Sequence, residues 1–234
     1  MMIKKHIPNA ITSLNLLAGM MGIYFVLSGK IGYGAYFIFL AAIFDFLDGF
    51  VARILKVHSE IGKQLDSLAD LVTFGVLPSF IVFQWVKELT NDEFLPFLAL
   101  IIGVFSALRL AKFNVDTRQT DRFIGVPTPA NALLISTLPF FVNKFPATEN
   151  IIANPYTLIG IAIFMSILLV AELPLIALKF KNYKFQPNLF RYFTLAIGVI
   201  CIITLGLAGI PIIIISYIAL SVLEGAIYRN ESKV

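Results

Sequence analysis

The stretch DFLDGFVARILKVHSEIGKQLDSLAD, residues 45–70, decides how this chain is read. Its first part closes a long apolar run at 32–55, and its last part opens another at 66–86. Four carboxylates, Asp45, Asp48, Asp66 and Asp70, thus lie inside or at the ends of apolar segments, among Phe44, Phe46, Leu47, Phe50, Leu65, Leu68 and Leu71. A carboxylate in a spanning helix costs about 2.5–3.5 kcal/mol at the bilayer centre on insertion scales. Four on adjacent helices also repel one another, so something positive must offset them, and a lone Arg53 is too little.

Spacing shows what the acids can do together. Asp45 and Asp48 are three apart and Asp66 and Asp70 four apart, so each pair occupies one helix face. A turn at roughly residues 54–61 lets the two helices run antiparallel, and the carboxylates converge. Hard oxygen ligands in such a cluster suit Mg²⁺, Mn²⁺ or Ca²⁺ rather than zinc. The histidines are His6 and His58 and the single cysteine is Cys201, which leaves no zinc-spaced set. Gly49, Ala52 and Gly62 remove side chains beside the acids, so a planar base or a pyrophosphate can approach the backbone. Arg53 offers a phosphate its fork of donors. Helix caps, or a proton or cation pathway, also use intramembrane acids, but neither needs these small residues and this arginine.

Working outward, the 234 residues are 59% hydrophobic and 14% charged, with a mean hydropathy of +0.88. A soluble domain of this size carries far more charge. Apolar segments recur at about 10–28, 32–55, 66–86, 94–112, 128–142, 156–178, 190–209 and 211–228, all near the length that spans a bilayer except the fifth, which is short and begins among prolines. The expected architecture is an all-α polytopic transmembrane bundle of about eight helices, one domain over residues 1–234. The first apolar segment follows a short basic start and reads as a retained helix rather than a cleaved signal peptide. With the N-terminus in the cytoplasm and eight alternating helices, only Lys30, Lys87 and Lys144 of the 18 Lys and Arg fall outside. That bias puts both termini inside. It also makes the net charge of +4 a report of topology rather than of nucleic-acid binding. The polar connections at 56–64, 113–125 and 179–188 then face the cytoplasm, where an active site meets soluble substrates. Cys201 reads as a small packing residue.

Written as spacing, the opening stretch is Asp45-x2-Asp48-Gly49-x2-Ala52-Arg53-x8-Gly62-x3-Asp66-x3-Asp70. It resembles, without a gap, the signature of the CDP-alcohol phosphatidyltransferase family. The resemblance implies a six-helix family core, an inner-membrane location, a homodimer, CDP-diacylglycerol as donor and two divalent metal ions, Mg²⁺ or Mn²⁺. It implies that Asp45 and Asp66 bridge both metals, that Asp48 serves one and Asp70 the other, and that Asp70 is the general base. Gly49, Arg53 and Ser59 match positions that contact the CDP group, with Ala52 and Gly62 in the same donor set. The start Pro8-Asn9-Ala10-Ile11-Thr12 is similar to the family's nucleotide-binding opening, which adds Asn9 and Thr12. Chemically this is coherent. A positioned carboxylate takes the proton of a poorly nucleophilic hydroxyl, and cations stabilise charge on phosphoryl oxygens.

A second region bears on the acceptor. Arg109-Leu110-Ala111-Lys112-Phe113-Asn114 precedes Phe123-Ile124-Gly125-Val126-Pro127-Thr128-Pro129-Ala130. This is similar to the membrane-type phosphatidylserine synthases, with Lys112 where Arg is common and Asn131 where a small apolar residue stands. The resemblance implies L-serine as acceptor. Arg109 suits the serine carboxylate, Lys112 and Arg118 the same group or a lipid phosphate, and Asn114 the ammonium or carboxylate. Interfacial snorkelling is the plain alternative for the bases. Glycerol 3-phosphate and inositol phosphate are the alternative acceptors, and an ion-coupled transporter is the alternative class. Glu172 and Pro174 read as part of the sixth helix, through a helix–helix hydrogen bond or a kink. Glu224 reads as interfacial and His58 as solvated.

Overall fold

A backbone surrounded by hydrocarbon has to bond to itself, so long apolar segments fold as helices. The computed structural model describes residues 2–57, 59–116, 123–176, 180 and 183–231. His58 and Arg118, for which the sequence raises expectations, lie outside the described residues. Eight helices of 16 residues or more follow one another: α1 (Met2–Leu27), α2 (Ile31–Leu55), α3 (Glu60–Leu89), α4 (Leu95–Val115), α5 (Thr128–Lys144), α6 (Pro155–Val170), α7 (Leu189–Leu205) and α8 (Ile210–Glu231). By length and composition, four described stretches can each cross a membrane: His6–Leu27, α3, α4 and Leu189–Ile227. A fifth is possible if Pro146–Ile152 and α6, bent by 76°, count as one span. The 39-residue run Leu189–Ile227 is not one straight rod. Gly206 adopts φ +57, and a Cβ on Gly209 would lie 2.7 Å from the Cys201 carbonyl oxygen. The chain therefore folds α8 back onto α7.

The first three helices make the frame of the site. α1 and α2 form a hairpin through Gly29, at φ +80, with Phe25 stacked on Tyr33 and Phe37 at 5.2 and 5.4 Å. Small residues bring α3 against this pair: a Cβ on Gly19 would meet Thr73 Oγ1 at 2.5 Å, and one on Gly22 would meet Leu77 at 2.6 Å. Without a hydrophobic drive between helices in lipid, such close approach is what holds them. Ile38, Phe74, Leu77, Ile81, Ile102, Ile135 and Leu158 are fully buried where the helices meet.

Two helix boundaries, the start of α3 and the end of α6, differ from the expected ones for physical reasons. α3 begins at Glu60 rather than 66 because Ser59 caps it, its side chain accepting from the Gly62 N–H at 3.2 Å. The turn before it is tight, with Lys56 in the left-handed region at φ 52, its N–H closing on the Ala52 and Arg53 carbonyls. α6 stops at Val170, not at 178. Pro174 disfavours helix at the residue before it, and Pro174–Leu175 instead pairs as a short antiparallel strand, β2, with β1 at Phe123–Ile124. The interior of α3 also departs from α-helix: Leu71–Val76 is a π-turn that starts right after Asp70. Such turns are frequent at functional sites.

Candidate metal centre and its two cavities

α1 packs against both α2 and the start of α3, and the acids of α2 and α3 converge beside it. One carboxylate oxygen from each of Asp45, Asp48 and Asp66 falls within 4.8 Å of the others. Asp70 lies one turn further along α3, outside that trio, but close enough to interact electrostatically with all three. α1 supplies the hydrogen bonds. The Thr12 hydroxyl lies 2.6 Å from Asp48 Oδ2 and 3.0 Å from the Pro8 carbonyl. Its one proton goes best to the charged acceptor. Asn15, fully buried, donates Nδ2 to Asp70 Oδ1 at 3.3 Å, while its carbonyl accepts from Thr73 Oγ1 at 3.3 Å.

These residues fit a divalent cation. Asp66 Oδ1 is buried with no hydrogen-bond partner, which a native protein rarely tolerates. Asp66 is one of three residues whose carboxylate oxygens crowd together, the donor set that hard cations take.

A cavity of about 370 Å³ opens beside the trio. Its lining includes Asn9, Thr12, Gly49, Ala52, Arg53, Ser59 and Gly62, the seven positions expected from sequence to hold the donor, together with Asp48, Asp66 and Lys63. The two glycines act differently. A Cβ on Gly49 would meet nothing within 4 Å, so Gly49 leaves the cavity wall open. A Cβ on Gly62 would sit 2.8 Å from Asn9 Oδ1, so Gly62 is small to admit α1. Arg53 is exposed, and its Nε donates to the Gly49 carbonyl at 3.0 Å, which aims the guanidinium across the cavity mouth.

The expected acceptor residues divide. Arg109 and Lys112 line a second cavity of about 320 Å³, along with Asp116, Ile124, Leu169 and Glu172. Arg109 is only 7% exposed. It lies 3.5 Å from Thr128 Oγ1 and 5.0 Å from the centre of the Phe113 ring, and it interacts with Asp70. Asn114 takes no part in that cavity lining: its Nδ2 donates to Ser67 Oγ at 2.8 Å, and its main-chain carbonyl accepts from Lys63 Nζ at 3.4 Å. It ties α4 to α3. Glu172 lies in the extended segment after α6, not in a helix. Glu224 is 5% exposed and pairs with Arg191 across α7 and α8 at 3.6 Å, so it is buried rather than interfacial.

Three residues of this region escape the sequence reading, Asn15, Lys63 and Asp116, and a fourth, Glu172, reads from sequence as a helix residue rather than a cavity wall. Asn15 carried a usable signal, an amide three residues after Thr12 on one face of an apolar helix. Asp116 and Glu172 carried none in common, since they reach one cavity from distant parts of the chain.

The model of the family described as CDP-alcohol phosphatidyltransferase matches residues 5–178. Curated proteins named CDP-diacylglycerol–serine O-phosphatidyltransferase align with the chain. One from Helicobacter pylori strain J99 is 32% identical over 179 residues, covering 76% of this chain and 72% of that protein. One from Bacillus subtilis strain 168 is 39% identical over 139 residues, 59% of this chain and 77% of that protein. One from Mycobacterium tuberculosis strain H37Rv is 34% identical over 221 residues, 90% of this chain and 75% of that protein.

Proposed function

This chain belongs to the CDP-alcohol phosphatidyltransferase family, and from that premise we propose that it transfers a phosphatidyl group from CDP-diacylglycerol to L-serine, giving phosphatidylserine and CMP. The observation that carries the reading is the cavity beside the acid trio, whose walls are formed by the same residues that match the family's donor positions. The names of the relatives supply serine.

The CDP head group enters the first cavity, with its pyrophosphate against Arg53, Lys63 and the open backbone at Gly49. The lipid tails stay in the bilayer. Asp45, Asp48 and Asp66 hold two divalent ions, Mg²⁺ or Mn²⁺, with Asp70 as a further ligand. When bound, those ions offset the acids and the charge on the phosphoryl oxygens. Asp70 takes the proton from the serine hydroxyl as its oxygen bonds to the phosphatidyl phosphorus. The bond from that phosphorus to the bridging pyrophosphate oxygen breaks, and CMP leaves. Asn15 holds one oxygen of Asp70 and leaves the other for the proton. The chain is multi-pass in the cytoplasmic membrane, with both termini and the active site inside, and acts as a homodimer.

The test is CMP release by the purified protein in lipid vesicles. The reading requires release that depends on both L-serine and Mg²⁺ or Mn²⁺, with phosphatidylserine as product. Release driven by another alcohol and not by serine contradicts it.

A further inference from the structure

The second cavity holds a charge pattern that the donor chemistry does not use. Two bases, Arg109 and Lys112, and two acids, Asp116 and Glu172, line the same space of about 320 Å³. That is room for about ten waters at ~30 Å³ each, ample for a small amino acid. Among the described residues, none that lines the first cavity lines the second. Arg109 stands between them, since it lines the second cavity and interacts with Asp70 of the acid centre. A molecule seated beside Arg109 is thus held by a residue that also feels the charge of the proposed base.

The walls come from separate parts of the chain. Arg109, Lys112 and Asp116 follow one another along α4 and just past its end, whereas Glu172 lies in the segment leaving α6. α4 packs against α6, and main-chain bonds fix the segment leaving α6 against the stretch before α5: Gly125 N–H to the Leu173 carbonyl at 2.9 Å and Val126 N–H to the Leu168 carbonyl at 3.0 Å. Gly125 sits at φ +76, and a Cβ there would lie 2.5 Å from the Leu169 carbonyl oxygen. A glycine is therefore required for this wall to close.

We propose that Glu172, with Asp116, forms the ammonium subsite of the acceptor pocket, so that the pocket reads both charges of a zwitterionic amino acid. The carboxylate of the acceptor pairs with Arg109 and Lys112, and its ammonium with the two acids. Both acids also interact with other groups of the protein, and a carboxylate has lone pairs for several donors at once. The same pair repels a phosphate-bearing acceptor, because like charges brought together in a partly dry cavity disfavour the wrong partner. Selection against glycerol 3-phosphate and inositol phosphate follows from the acids, not the bases. The inference rests on serine being the acceptor and adds which residues recognise its amine.

The experiment compares full-length wild type with Glu172→Gln, Glu172→Asp and the Glu172→Gln/Asp116→Asn pair in vesicles. KM for L-serine and KM for CDP-diacylglycerol are measured separately. Inhibition by 3-hydroxypropionate, which keeps the carboxylate and hydroxyl but lacks the amine, is measured as well. The expected result is a rise of about tenfold or more in serine KM for Glu172→Gln, the loss of one charge-assisted bond, and a larger rise for the pair. CDP-diacylglycerol KM stays in place, Glu172→Asp restores much of the serine affinity, and 3-hydroxypropionate inhibits the Gln variant no less well than the wild type. Serine KM unchanged in the pair, or both KM values rising together, overturns the subsite. Wild type that makes no phosphatidylserine overturns the reaction assignment itself.

Discussion

At the scale of single residues, the account turns on which oxygen does what. Asp45, Asp48 and Asp66 crowd together, and Asp70 stands one turn away, held through one oxygen by Asn15. The oxygen that Asn15 does not hold is the one placed to take a proton. Asp70→Asn is therefore expected to lower kcat by about 10²–10⁴-fold, the range for a general base, while CDP-diacylglycerol binding persists in an equilibrium binding assay. Loss of donor binding along with kcat would assign Asp70 to holding the donor instead. Thr12 acts through Asp48, whose Oδ2 it bonds at 2.6 Å. Residues that orient metal ligands are worth about 10–100-fold in metal affinity. Thr12→Val, which keeps the shape and loses the hydroxyl, should shift the Mn²⁺ titration of activity to higher concentration by that factor. An unshifted titration would show that Asp48 needs no such partner.

At the scale of elements, the hairpin of α2 and α3 was legible and the details that tune it were not. Periodicity and apolar length located the helices, and spacings of three and four placed each acid pair on one face. The start of α3 was missed because Ser59 acts as a cap, a role that a family match to a donor-contact position obscured. The π-turn at Leu71–Val76 leaves no mark in apolar patterning, because Thr73, Phe74 and Gly75 are buried by packing from several sides. The strand pair β1–β2 was invisible for a different reason. Two residues on each side are too few for an alternating pattern, and the partners are about fifty positions apart in the chain. Gly125 shows how much rests on that pairing. Gly125→Ala adds left-handed strain of about 1–2 kcal/mol and a clash with the Leu169 carbonyl. It is expected to lower the thermal midpoint in detergent and to raise serine KM more than CDP-diacylglycerol KM. An Ala variant with wild-type melting and serine KM would show that the wall of the second cavity tolerates movement.

At the scale of the whole molecule, an apolar bundle carries a polar centre at the junction of its first three helices, with one cavity lined by Asp48 and Asp66 and another lined by Arg109. The lining of the first could be read from sequence because its residues lie within a single motif and the opening of α1. The second was only half readable. Its bases follow one another on α4, but its acids are assembled by tertiary contacts, and Asn114 turned out to brace α4 against α3. The central claim is that cations, rather than protons or a protein base, offset the acidic cluster. Crystals grown with Mn²⁺ and CDP-diacylglycerol, measured for anomalous scattering, test it directly. The account predicts anomalous peaks bounded by Asp45, Asp48 and Asp66, at oxygen distances near ~2.1 Å as for small hard cations, and their loss in Asp66→Asn. A map with full donor density and no anomalous peak among those carboxylates would contradict it.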